Sequence, residues 1–274
     1  MLNPSYDSDH FKKWFDLGMD EDIGVGNFFE YIIQMIYLST LSPGDISIDA
    51  GANRGLHTLP MARIVGKKGM VIGFEAIPKL ANSLLDKLNE MGIVNVLIKS
   101  LAVGEKKGTV DFHYVKDSDY HSGIKEQQGI PESAKKSAVK ISVPLSTLDL
   151  EVDPEKKIRF MKLDLEGGEY HGLIGAQRIM NTENPLIVFE NNRESSAKLY
   201  NYKSSDWFSL FESRSYKVYD LFGRNFSLEN WDAKSMPWYF IAASRESDIK
   251  FITERLPHLI GVLYLIFKRH SFSK

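Results

Sequence analysis

The chain has no cysteine. That excludes disulfides, thiol nucleophiles and cysteine-ligated metals. It has no apolar run long enough to span a bilayer. Residues Met1 to Asp7 lack the basic and then apolar pattern of a secretory signal, so a cytoplasmic location is the expectation. Charge of one sign is also scarce: the formal net charge is −2. No global basic field would draw in nucleic acid, and none is expected as a partner. The pairs Lys67-Lys68, Lys106-Lys107 and Lys156-Lys157 fall in expected turns and read as solvated. There is no internal repeat and no low-complexity tract. What is present is an ordinary globular composition over 274 residues, 43% of them hydrophobic. That length allows one large domain or two small ones.

The informative stretch is Ile46 to Gly55. Ile46 to Asp49 reads as a short buried strand, and Leu56 to Val65 as a helix. Gly51, Asn53 and Gly55 crowd the turn between them. Glycine lets backbone approach a ligand closely, and the free N–H groups of a helix start attract negative groups. A second strand, Met70 to Glu75, ends in an acid roughly 20 residues after the turn, the spacing at which a carboxylate grips ribose hydroxyls. The turn departs from the dinucleotide pattern G-x-G-x-x-G. Asp49 stands before the first glycine, where it would repel a pyrophosphate and suit an amino group. S-adenosylmethionine (SAM) has that amino group, a ribose and a sulfonium, and no phosphate. The charges favour SAM over NAD, with a tight turn in some other α/β protein as the plain alternative.

Residues 1–25 are polar with scattered aromatics and read as an arm or cap. Phe28, Ile32, Met35, Ile36 and Leu41 recur at helical spacing, so 27–41 should be a helix packed on the core. Pro78 opens a helix carrying Leu80, Leu84, Leu85 and Leu88 on one face. Val94 to Ile98 is the expected third strand. Ser100 follows it at the carboxyl edge of the sheet, where ligands bind, and is expected beside the adenine. Thr109–Val115 and Lys140–Leu145 read as partner strands. The polar stretch Lys116 to Val139 between them reads equally as a lid or substrate loop and as a disordered surface loop. Ile158 to Asp164 is the fourth parallel strand, followed by a helix running to Met180. Pro185 to Glu190 is the fifth, and Tyr216–Phe222 and Trp238–Ala243 are the last two. Arg255 to Phe267 is strongly apolar and ends in Lys268-Arg269. It reads as a terminal helix on the domain or on a second subunit, with a membrane-surface helix as the alternative. The expectation is one α/β domain: a seven-stranded, mostly parallel sheet with one antiparallel member and helices on both faces. Its bounds are 43–244, with an N-terminal arm and helix at 1–42 and an apolar tail at 245–274.

Strands ending in Asp49, Glu75, Asp164 and Glu190 put several acids on one sheet edge. Carboxylates brought together need cations or protons to compensate, so this edge reads as functional. Asp164 and Glu166 are the first candidates for catalytic residues. His121 is the next, because a neutral imidazole is a natural base near pH 7. His57 is a weaker one. Glu169 reads either as part of the site or as a helix-start acid favoured by the dipole. Asp164, Glu166 and Glu190 are oxygen ligands suited to Mg²⁺, but no essential metal is expected.

Five segments in order carry a resemblance: Ile48–Gly55, Gly73–Pro78, Pro144–Asp149, Lys162–Glu169 and Pro185–Glu190. Over about residues 43–243 the chain resembles the FkbM-type methyltransferases, SAM-dependent enzymes of the Rossmann-like class I fold. The resemblance implies SAM as cofactor and O-methylation of a hydroxyl on a sugar, glycan or small hydroxylated metabolite. It implies that Asp49, Gly51, Asn53 and Gly55 form the SAM loop and that Glu75 holds the ribose. It places 162–169 near the transferred methyl. Leu165 stands where relatives often carry valine. The arm, the loop 116–139 and the tail lie outside the resemblance, and substrate choice is expected there. A non-catalytic SAM-binding module and methyl transfer to another acceptor atom are the alternatives. The intact acidic turn argues against the first. A nucleic-acid N-methyltransferase is disfavoured, because no Asn/Asp-Pro-Pro-Tyr motif follows the fourth strand. A homo-oligomer and a peripheral membrane contact through the tail stay open.

Overall fold

The computed structural model describes residues 8–24, 26–118, 121–126, 132 and 136–271. Strand residues of the central sheet are mostly apolar on both faces, as expected where helices cover both sides. Successive residues therefore face opposite cores. Phe160 faces one and Met161 the other, and the pairs Val188/Phe189 and Ile241/Phe240 divide the same way.

In chain order the main sheet comprises β1 (Ile46–Ala50), β2 (Met70–Phe74), β3 (Val96–Lys99), β7 (Ile158–Leu163), β8 (Leu186–Glu190), β9 (Lys217–Asp220) and β10 (Tyr239–Ala243). Their spatial order is β3-β2-β1-β7-β8-β10-β9. All neighbours run parallel except β10, which is antiparallel to both β8 and β9. This is the expected seven-stranded sheet with one antiparallel member. The strand order reverses at β1, so β1 and β7 carry the switch point where ligands bind at the carboxyl ends.

Helices α1 (Ser8–Gly18), α2 (Asn27–Thr40) and α3 (Thr58–Val65) lie on one face. The other carries α5 (Leu148–Glu151), α6 (Glu169–Ile174), α7 (Gln177–Glu183), α8 (Glu194–Tyr200) and α9 (Ser204–Glu212), while α4 (Pro78–Glu90) flanks the β2–β3 edge. The helix expected to run unbroken from 169 to 180 is two helices. Gly175 approaches the Gly104 backbone so closely that a Cβ would stand 2.1 Å from its carbonyl oxygen, and the chain turns there. Helix α8 was not expected, because its sequence has no clear apolar stripe.

A second sheet interrupts the strand–helix alternation. It pairs β4 (Ala102–Val103) and β5 (Gly108–Val115) with β6 (Ala138–Ser146). Phe112 and Val143 of this sheet pack on Ile77 and Leu80, so the insertion walls the end of β2. The loop expected at 116–139 is shorter, since Ala138 and Val139 belong to β6. Its residues 119, 120, 127–131 and 133–135 lie outside the described residues.

The chain ends in α10 (Glu246–Lys250), a π-turn over Phe251–Arg255 and α11 (Leu256–Ser271). α11 packs on α2 through Phe267, whose ring lies 5.4 Å from Phe28 and 5.3 Å from Tyr31. Val262, Leu265 and Ile266 stay exposed on it. No helix among the described residues is long and apolar enough to cross a membrane.

The N-terminal arm is integral to the core. Phe29 of α2 is fully buried against Phe222 and Trp238. Phe29→Ala should lower the unfolding free energy by about 3–5 kcal/mol in one cooperative urea transition. Two resolved transitions would make the arm a separate unit.

Candidate active site

β1 delivers its carboxyl end into the turn, and two glycines there are conformationally required. Gly51 has φ 87°, and a Cβ on it would stand 1.9 Å from the Asp164 carbonyl oxygen. Gly55 has φ 83°, and a Cβ there would meet Leu84 of α4 at 2.5 Å. Gly51 thus brings β1 and β7 together, and Gly55 lets α4 pack. The amides of Gly51 and Ala52 both donate to the Phe74 carbonyl at 2.9 Å, tying the turn to β2.

Asp49 lies beneath this turn. It is 1% exposed, and Thr58 Oγ1 donates to its Oδ2 at 2.5 Å. It lines neither of the two cavities at this edge, so its negative charge acts from below the turn.

Glu75 faces the first cavity. Its Oε2 accepts from the Asn53 amide and its Oε1 from the Ile77 amide, both at 2.8 Å. The carboxylate straps the turn to the start of α4. Ile77, Leu101, Phe112, Ser122 and Ile124 line the same cavity, so both the insertion and the 116–139 loop contribute to it. Its floor is polar at Gly51, Asn53, Asp164 and Glu166.

The second cavity shares Gly51, Asn53 and Asp164 with the first and adds Glu30, His57 and Lys162. Its walls form one hydrogen-bonded network. His57 Nε2 donates to Glu30 Oε2 at 2.7 Å. The Tyr239 hydroxyl lies 2.8 Å from Glu30 Oε1 and 3.2 Å from Asp164 Oδ2. Lys162 Nζ donates to Asp164 Oδ2 at 3.0 Å. Lys162 is only 3% exposed. Burial works against its charge, but Asp164, Asp49 and Glu30 outweigh it and raise the ammonium pKa. Burial also opposes ionisation of Asp164, yet the charge and hydrogen bond of Lys162 hold it below the usual carboxylate range. Glu30 is likewise lowered against burial by His57.

The other acids behave oppositely. Burial first, and then the charge of Asp164, raise Glu166 and Glu190 well above the ordinary value. Burial and the neighbouring charge of Asp164 thus oppose ionisation of Glu190. Burial pushes Glu169 up to about 8, although the Leu165 and Gly167 amides donate to its Oε1. One ammonium and the carboxyl protons thus compensate the acidic edge. Oxygens of Asp164, Glu169 and Glu190 lie within 4.8 Å of one another, a spacing that hard cations also fit.

Gly51, Asn53, Glu75, Asp164 and Glu166 come together as expected from the sequence. Ser100 does not: it is exposed, and its successor Leu101 lines the cavity instead. β3 ends one residue later than expected, at Lys99. Gly55 serves packing and lines neither cavity. His121 lies off both cavities, with Nδ1 2.8 Å from Ser118 Oγ; burial lowers its pKa. Glu30, Lys162 and Tyr239 were missed. Lysine within the apolar run Ile158–Leu163 was the available signal. Glu30, spaced three and seven residues from the buried Ile33 and Tyr37, was a second.

The strand order, the turn at the switch point and an acid at the end of β2 define a Rossmann-like class I methyltransferase fold. The methyltransferase FkbM domain matches residues 49–218, more than half of the chain. The protein belongs to the FkbM methyltransferase family, and its cofactor is S-adenosylmethionine. A protein-L-isoaspartate O-methyltransferase of Methanococcus aeolicus is 40% identical over 58 residues, 21% of this chain and 27% of that protein. One from Archaeoglobus fulgidus is 36% identical over 64 residues, 23% of this chain and 30% of that protein. The chain thus spans under a third of the length of each. A crystal structure of a methyltransferase FkbM from Methylobacillus flagellatus superposes with a TM-score of 0.47 at 14% identity, covering 85% of this chain and 58% of that one.

The raised Glu169 has a definite pH consequence. Its folded pKa lies above the unfolded value of about 4.3, so its stabilising contribution is complete below that value. It is lost as pH rises through about 8. Glu169→Gln keeps an oxygen for the Leu165 and Gly167 amides. It should remove part of the fall in thermal midpoint between about pH 5 and pH 9. An unchanged slope would mean that Glu169 is not the group holding the proton.

Proposed function

We propose that the chain transfers the methyl group of SAM to a hydroxyl oxygen of a sugar, glycan or small hydroxylated metabolite. SAM supplies a methyl already activated by its sulfonium. The chain's residues supply orientation, water exclusion and control of protons.

Glu75 would hold the ribose hydroxyls, with Leu101, Phe112 and Ile124 as the apolar wall for the base. The second cavity carries both signs of charge, as the amino-acid end of SAM requires. Glu30 suits its ammonium, and Lys162 suits its carboxylate. Asp49 adds negative charge from beneath.

The observation that carries the reading is Asp164. It lies on the rim common to both cavities and is kept ionised by Lys162 at 3.0 Å. An ionised carboxylate there orients the acceptor hydroxyl by accepting its hydrogen bond. Its lowered pKa makes it a weak base, so positioning is its main contribution. Well-oriented reactants can save roughly 7–11 kcal/mol of barrier. Glu166, raised by burial, accepts a proton only in the fraction that has ionised, so turnover should climb with pH as that fraction grows. His121 has no place in this scheme; the loop contributes Ser122 and Ile124.

The isoaspartate enzymes named above methylate a carboxylate by name. The acidic rim of this site favours a hydroxyl, since a second carboxylate beside Asp164 would be repelled.

Asp164→Asn should cut methyl transfer by about 10²-fold or more while SAM affinity, read by calorimetry, changes much less. Equal losses in both would make Asp164 a cofactor ligand only. Glu75→Ala should weaken SAM binding by about tenfold or more, roughly one to two lost hydrogen bonds to a charged group, with the circular dichroism spectrum intact. Methyl transfer from labelled SAM into fractionated cell extract identifies the acceptor. SAM binding without transfer to any fraction would favour a non-catalytic module.

A further inference from the structure

A third cavity lies beyond the carboxyl end of β8, and neither part of the cofactor reading uses it. Its volume is about 440 Å³, within the range of small-molecule sites. Asn192, Arg193, Ser196, Leu199, Met236 and Trp238 line it. The Asn191 amide donates to the Trp238 carbonyl at 2.7 Å, and the Arg193 amide donates to Asn191 Oδ1 at 2.6 Å. These bonds fix one wall to the other.

The cavity borders the acidic edge. Ser196 Oγ stands 3.3 Å from where a Cβ on Gly167 would be. One turn along α8, the Tyr200 hydroxyl donates to the Glu166 carbonyl at 3.3 Å. Trp238 immediately precedes Tyr239, whose hydroxyl reaches Asp164.

Arg193 is the unusual residue. It is half-buried, and its guanidinium makes no hydrogen bond to any described residue. Burial lowers the arginine's pKa, and the charge of Asp232 partly offsets that. Its backbone has φ 51° and ψ −116°, a region that side chains other than glycine rarely enter. Strain of this kind persists where the surrounding structure fixes it, and it clusters at functional sites. Opposite it, Trp238 is held edge-on by Phe29 at 4.9 Å. A fixed indole gives an apolar plate, Asn192 and Ser196 give neutral hydrogen-bonding groups, and Arg193 gives a five-donor fork suited to carboxylate or phosphate.

We infer that this cavity is the acceptor subsite, and that it takes a hydroxylated ligand bearing an anionic group, a uronate or a sugar phosphate. The inference rests on the methyl-transfer reading. It places the anion at Arg193 and the pyranose-sized body against Trp238. The reacting hydroxyl faces the acidic edge.

The test uses the full chain saturated with S-adenosylhomocysteine. Binding of methyl glucuronide, glucose 1-phosphate and neutral methyl glucoside is read by saturation-transfer NMR and calorimetry. At least one anionic probe should bind at about 10 mM or below, and the glucoside about tenfold more weakly. Which anion binds distinguishes carboxylate from phosphate. Arg193→Gly suits the backbone better than arginine, so its thermal midpoint should rise, while anion affinity falls about tenfold or more. Its affinity for S-adenosylhomocysteine should stay within about twofold. Trp238→Phe should keep the anion preference and weaken all three probes together. Equal binding of the neutral glycoside, full anion affinity in Arg193→Gly, or no binding of either anion overturns the subsite. Failure to bind S-adenosylhomocysteine would instead overturn the cofactor reading, and the two failures are read separately.

Discussion

The site depends on one buried ion pair, Lys162 with Asp164. The sheet gathers acids at its carboxyl edge because β7 and β8 end side by side. Without a cation, burial would protonate every one of them. Lys162 keeps one ionised, and Asp164 then makes its neighbours harder to ionise. The result is one carboxylate held ionised by Lys162 beside Glu166, Glu169 and Glu190, whose ionisation it opposes. Buried pairs of this kind contribute little net stability, because desolvation offsets their attraction. Their value lies in where they put charge.

Residues beyond the matched domain complete that arrangement. Glu30 comes from α2 and Tyr239 from β10, both outside residues 49–218. Tyr239 connects Glu30 to Asp164, and Glu30 holds His57 at the start of α3. The arm therefore closes the second cavity and links the turn after β1 to the end of β7. Phe29, one residue from Glu30, also supports Trp238. A single helix thus braces the cofactor side through Glu30 and the third cavity through Phe29.

Much of the fold was legible because strand and helix periods differ and both are strong here. Four short apolar runs ending in an acid, with a fifth at Val94–Ile98, gave the parallel strands. The last two strands, with no helix between them, gave the antiparallel member. The turn after β1 was legible for a steric reason: only glycine fits where Gly51 meets the Asp164 carbonyl. Helix α8 was not, since it buries small and mixed residues such as Ser196 and Ala197 rather than an apolar stripe. Ser100 failed by the placement of a strand end, where sequence signals are weakest. His121 failed differently, because a histidine in a polar loop carries no information about which way the loop folds. The network around Glu30 joins residues 209 positions apart, and no local pattern announces such a contact.

Glu75 ties the turn after β1 to the start of α4. Two backbone amides occupy one acceptor position on each of its oxygens. The Asn53 and Ile77 amides hold the carboxylate at the edge of the first cavity. The carboxylate is already oriented and its side-chain entropy already lost, so binding is spared that ordering cost. An amide at this position would offer one oxygen in place of two, and one of the two backbone donors would lose its partner. Aspartate would keep the charge but fall short by a methylene. Glutamate is the side chain whose length and two oxygens reach both amides.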